Sequence, residues 1–76
     1  MAAHELIAVD SSSIRGVGYE EDRNILYVQF IDGEVYEYFA VPVSDFIDLL
    51  QAKSIGCFVN KRIKPYYEYR KLEAAS

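Results

Sequence analysis

From Ile25 to Ile31 the chain reads Ile-Leu-Tyr-Val-Gln-Phe-Ile, a β-branched and aromatic run with one polar residue, and it predicts a strand. Ser13 to Tyr19 predicts an earlier one, with Ile14, Val17 and Tyr19 among small residues and with Gly16 and Gly18 marking a bend or bulge. Between them, Glu20-Glu21-Asp22-Arg23-Asn24 is an acidic turn. Asp32-Gly33 signals a hairpin, because glycine accepts the positive φ of a tight turn, and Glu34 to Ala40 is expected to return beside the central strand. A three-residue loop of Ile31-Asp32-Gly33 pairs Val28 with Tyr36 and Leu26 with Tyr38, which puts both tyrosines on the core face. A two-residue loop would set Glu37 opposite Val28 and send both tyrosines to the other side. The three-residue loop is preferred, since it keeps the carboxylate off the apolar face.

After Pro42 the apolar period lengthens from two to about 3.6, with Val43, Phe46, Ile47 and Leu50 on one predicted helical stripe and Ser44 or Asp45 as its cap. A second helix is predicted from Ser54 as cap, with Ile55, Phe58, Val59 and Ile63 on one face, Asn60, Lys61 and Lys64 elsewhere, and Pro65 as its stop. Tyr66 to Leu72 reads as an extended tail that could pair with a sheet edge. The expected fold is therefore α+β: a three-stranded antiparallel β-meander followed by two short helices packed on one face. Residues 1–8 are expected to form a flexible N-terminus, 9–72 a single domain and 73–76 a flexible tail.

Length and composition bound this picture. Seventy-six residues, 51% hydrophobic and 26% charged, suit one small globular domain and leave no room for a second core. Cys57 is the sole cysteine, so the fold is expected to hold without an internal disulfide, which favours a reducing, cytoplasmic compartment. The start lacks a basic, apolar signal, and no apolar run approaches a membrane span, so neither export nor anchoring is expected.

Catalytic material is sparse. The lone histidine, His4, could be drawn into a triad with Asp10 and Ser11 to Ser13, but a loose start followed by capping serines is the simpler reading. Cys57, beside Phe58, is expected to be a buried structural thiol. One His and one Cys cannot build a zinc site, Glu20-Glu21-Asp22 lacks the alternating spacing of a calcium loop, and glycines 16, 18, 33 and 56 match no phosphate loop. No enzyme, metal, cofactor or small-molecule substrate is expected.

Net charge is −4, but it is divided: residues 1–52 carry two cations against ten carboxylates, and residues 53–76 six against two. Lys61, Arg62, Lys64, Arg70 and Lys71 surround Tyr66, Tyr67 and Tyr69. Cations neutralise phosphates and ring faces stack on unpaired bases, so this segment is a candidate RNA contact. The plainer alternative is a basic helix face balanced by an acidic sheet, with the tyrosines packing at the edge of the core. Tyr36 and Tyr38 pose the same choice between a base-stacking platform and core packing.

The succession Ser11-Ser12-Ser13-Ile14, Val17-Gly18-Tyr19, Val35-Tyr36-Glu37-Tyr38-Phe39, Val41-Pro42, then Ser54-Ile55-Gly56 with Phe58-Val59-Asn60 and Ile63, resembles the KTSC domain over about Val9 to Leu72. That family is found at the carboxyl end of some lysyl-tRNA synthetases and as stand-alone bacterial or phage proteins. The resemblance implies that Tyr36, Tyr38, Ser54, Gly56, Phe58 and Asn60 are its motif positions, with Val59 where the family carries an aromatic. It also implies, by analogy with the synthetases, an RNA-related role. The expected function is a non-catalytic module that contacts RNA through Lys61, Arg62, Lys64, Arg70 and Lys71, with Tyr67 or Tyr69 stacking. The alternative is a protein-interaction or self-association module that uses a sheet edge or an exposed apolar face.

Overall fold

The computed structural model describes residues 6–72. Its sheet has five antiparallel strands in sequence order: β1 (Ile7–Ala8), β2 (Ile14–Glu20), β3 (Ile25–Phe30), β4 (Val35–Tyr38) and β5 (Tyr69–Leu72). The three central strands are those expected, so the three-stranded meander is an undercount by its two edges. The tail does pair with a sheet edge, as β5 on β4. Ile7 and Ala8, within the expected flexible start, lie opposite Val17 and Gly16 as β1. Residues 1–5, with His4, and 73–76 lie outside the described residues.

Glycine permits the β1 contact. A Cβ on Gly16 would sit 3.2 Å from the Ile7 carbonyl oxygen, and the β2–β3 register shifts between Ile14 and Gly16, which is the bulge the glycines signalled. The hairpin is the three-residue form: Phe30 donates its N–H to Glu34 O at 2.8 Å, Gly33 takes φ +94°, and Val28 and Leu26 face Tyr36 and Tyr38.

Helix α1 (Val43–Leu50) follows Pro42, which occupies the capping position in extended conformation without a side-chain cap bond. Neither Ser44 nor Asp45 caps it; the Asp45 carboxylate accepts instead from the Tyr67 hydroxyl. The expected stripe is also out of phase. Leu49 is fully buried and Phe46 half-buried, whereas Val43, Ile47 and Leu50 are exposed. Helix α2 (Ile55–Phe58) is capped as expected, with Ser54 Oγ accepting from Cys57 N–H at 3.2 Å. It runs on into a π-helical turn (Val59–Ile63), closed by Lys64 N–H donating to Val59 O at 2.8 Å. Chain direction then changes at Pro65, which has no N–H to offer a helix.

The core joins Val17, Leu26, Val28 and Tyr38 of the sheet to Leu49, Val59 and Ile63 of the helices, with Ile14 and Val41 between. Ile25, Tyr27 and Glu37 alternate onto the opposite face and are buried as well. No helix among the described residues is long and apolar enough to cross a membrane.

Candidate functional site

The basic segment does not form one surface. Arg70 and Lys71 are successive residues of β5 and therefore point to opposite faces of the sheet. Each is held by a β4-side carboxylate. Arg70 Nη2 is 2.9 Å from Glu37 Oε1, and Lys71 Nζ is 2.6 Å from Glu34 Oε1. The Glu34 carboxylate keeps the Lys71 ammonium protonated above its ordinary range, first through the hydrogen bond and then through its charge. Of the five predicted phosphate contacts, Lys61, Arg62 and Lys64 remain outside such pairs among the described residues. Arg62 lies over the Phe58 ring, 5.2 Å from its centroid, and Lys64 Nζ over Phe30 at 5.0 Å.

The two tyrosines expected to stack have separate positions. Tyr67 is half-buried against the core, and its hydroxyl donates to Asp45; this bond, with burial and the Asp45 charge, pushes its pKa up to about 12. Tyr69 is 58% exposed and leans on the sheet, its ring centroid 5.4 Å from Tyr36 and 5.9 Å from Tyr38. Tyr36 stacks on Tyr38 and meets Phe30 edge-on, with centroids 5.3 Å apart in the second pair. Tyr38 is core, at 1% exposure, while Tyr36 is half-buried and forms part of a wall.

Phe30, Tyr36 and Tyr69 line an open cleft of about 440 Å³, with Lys64, Asp32 and Glu34 also in its lining. Pocket volumes of this order accommodate small organic groups. Chemically the cleft offers ring faces for stacking, an ammonium for an anion, and carboxylates that accept hydrogen bonds. Phe30, Asp32 and Glu34 were not among the predicted site residues. The signal for Phe30 and Glu34 was the hairpin register, which puts them on one face with Tyr36 and Tyr38, and Asp32 follows as part of the loop between them. Lys64 over Phe30 follows the π-helical turn and had no comparable signal.

The motif segment around α2 has structural work. Ser54 caps the helix, and a Cβ on Gly56 would fall 2.3 Å from Ser13 Oγ, so the glycine admits the Ser13 hydroxyl. Phe58 packs on the core and Asn60 is exposed. A second, polar hollow of about 360 Å³ lies here, lined by Ser13, Lys53, Cys57 and Asn60 among others. Cys57 is exposed, contrary to the expectation of a buried thiol. Helical spacing explains this: Cys57 shares a stripe with Asn60, Lys61 and Lys64, while Gly56, Val59 and Ile63 face inward. Among the described residues no group of three or more His, Cys, Asp or Glu is placed to hold a metal.

Comparison with known proteins agrees with the motif succession. The KTSC domain model matches residues 10–67. An uncharacterized protein of Stutzerimonas stutzeri is 40% identical over 68 residues, spanning 88% of this chain and 96% of that protein. A lysine–tRNA ligase of Nostoc punctiforme is 39% identical over 70 residues, 92% of this chain but 12% of the ligase. The crystal structure of a KTSC domain protein from Yersinia pestis superposes with a TM-score of 0.89 at 32% identity, covering 93% of this chain and all of that one. By profile, by relatives of full length and by fold, this chain belongs to the KTSC domain family.

Proposed function

We propose that this KTSC domain is a non-catalytic, cytoplasmic module that binds short single-stranded RNA, with an unpaired base entering the Phe30–Tyr36–Tyr69 cleft. The observation that carries the reading is the cleft itself, where the exposed Tyr69 ring and the half-buried Tyr36 and Phe30 rings meet, with Lys64 over Phe30. Stacking on an aromatic side chain contributes about 1–3 kcal/mol per base and tolerates any base. Lys64, Lys61 and Arg62 are the cations left to meet phosphates, because Glu37 and Glu34 occupy Arg70 and Lys71. Similarity to part of a lysine–tRNA ligase supports an RNA setting.

The test is an amide-shift NMR titration with short single-stranded RNA at two salt concentrations. Saturable shifts at Phe30, Tyr36, Lys64 and Tyr69 are expected. The log–log slope of affinity against salt should be about −2, from about −0.7 per phosphate neutralised by three cations. Absence of shifts at low salt overturns the reading. Salt-insensitive self-association through the exposed Val43, Ile47 and Leu50 would replace it with a protein-interaction role. The β5 edge is the weaker place for such a partner, since Arg70 and Lys71 guard it.

A further inference from the structure

We infer that the cleft selects guanine, a refinement that rests on the RNA reading above. Ring faces do not distinguish bases; polar groups beside them do. The polar residues of the lining are Ser13, Asp32, Glu34 and Lys64, and of these Asp32 stands at the tip of the β3–β4 hairpin. Its Oδ1 accepts the Glu34 backbone N–H at 3.0 Å, and among the described residues no cation lies within ion-pair distance of it. Glu34, by contrast, is already bound by Lys71.

An ionised carboxylate only accepts hydrogen bonds, with about four lone-pair sites, so one backbone amide leaves it capacity. The four bases differ in what they offer such a group. Guanine presents N1–H and N2–H as adjacent donors that match two carboxylate oxygens. Adenine and cytosine each present one amine beside an acceptor ring nitrogen, which repels a carboxylate. Uracil presents one N–H between two carbonyl acceptors. Guanine alone makes the paired contact, and Lys64 stands in the same cleft to meet a phosphate.

The experiment compares the pentanucleotides UUGUU, UUAUU, UUCUU and UUUUU at low salt, with wild type, Asp32→Asn and Asp48→Asn. Wild type should bind UUGUU at least about tenfold tighter than UUUUU, the discrimination of one good bidentate pair. Asparagine keeps the side-chain acceptor for the Glu34 amide, so the turn is retained. Asp32→Asn should nevertheless bring UUGUU down to the affinity of UUUUU. Electrostatics alone predicts the opposite sign, because removing a carboxylate favours a polyanion, and Asp48→Asn on α1 reports that background. Equal affinities for all four, still weakened by Tyr69→Ala, overturn guanine selection and leave the RNA reading standing. A guanine preference retained in Asp32→Asn overturns the role of Asp32. No binding by wild type overturns both.

Discussion

Glu37 accepts from Arg70 Nε at 3.0 Å and has Nη2 of the same guanidinium 2.9 Å away, both on the one oxygen Oε1. The carboxylate belongs to a residue only 5% exposed on β4, and the guanidinium to the edge strand β5. The contact therefore ties the last strand to the sheet and satisfies a charge that the fold has taken from water. Arg70→Ala should cost about 2 kcal/mol in urea unfolding, less than a fully buried pair because the guanidinium reaches solvent. Glu37→Gln added to Arg70→Ala should recover part of that loss, since an amide is cheaper to bury alone than a carboxylate. An Arg70→Ala domain as stable as wild type would show that the pair is incidental.

Alkaline pH should destabilise the domain, and Tyr38 is one contributor beside Tyr27 and Tyr67, whose pKa values are also pushed up to about 12. Burial, followed by the neighbouring Tyr36 and Tyr69, pushes the Tyr38 pKa up to about 12, against 10.0 for the free side chain. Below pH 10 both folded and unfolded forms keep the proton, and stability is intact. Above pH 10 the unfolded chain releases it while the folded chain holds it, so stability falls until about pH 12. The full loss from this one group is about 2 to 3 kcal/mol. Tyr38→Phe should move the midpoint of alkaline unfolding upward, read by circular dichroism against pH. No upward movement would mean that the hydroxyl titrates in the fold as it does in the free chain.

Leu49 and Leu50 are neighbours with opposite fates, the first fully buried and the second 41% exposed. Leu49→Ala should cost about 3 kcal/mol, as for a buried leucine, and Leu50→Ala less than about 1. Thermal or urea unfolding of the two variants checks this directly, and comparable losses would put the α1 stripe back in the core.

The same pair shows where the sequence stops being informative. A 3.6-residue period identifies a helix over residues 43–50, but with apolar residues at 43, 46, 47, 49 and 50 it does not determine which side faces the sheet. Strands are more legible, because a one-residue slip exposes a whole apolar face; hence the pairing of Val28 with Tyr36 could be read from the hairpin alone. The edge strands were harder. Ile7–Ala8 is two residues long, and Tyr69–Leu72 carries the charges of an edge, so neither has an alternating apolar signal. At the cleft, Tyr36 and Tyr69 were legible as candidates; on the other face of the sheet, the pairing of Arg70 with Glu37 across strands was not. Lys64, which lies over Phe30, follows directly on a π-helical turn, which no local residue pattern announces.

Tyr67 and Tyr69, two residues apart, should respond to mutation in opposite ways. Tyr67 joins the tail to α1 through Asp45, so Tyr67→Phe should lose about 1 kcal/mol of stability while RNA-induced shifts remain. Tyr69 presents its ring beside Tyr36 and donates no hydrogen bond among the described residues, so Tyr69→Ala should alter stability by less than about 1 kcal/mol. Its effect should fall on binding: losing one stacked ring weakens association by about tenfold for every 1.4 kcal/mol of the stacking energy. Parallel urea and RNA titrations of both variants separate the roles. Equal loss of stability in the two would make Tyr69 a structural edge residue and leave the stacking role to Tyr36 and Phe30.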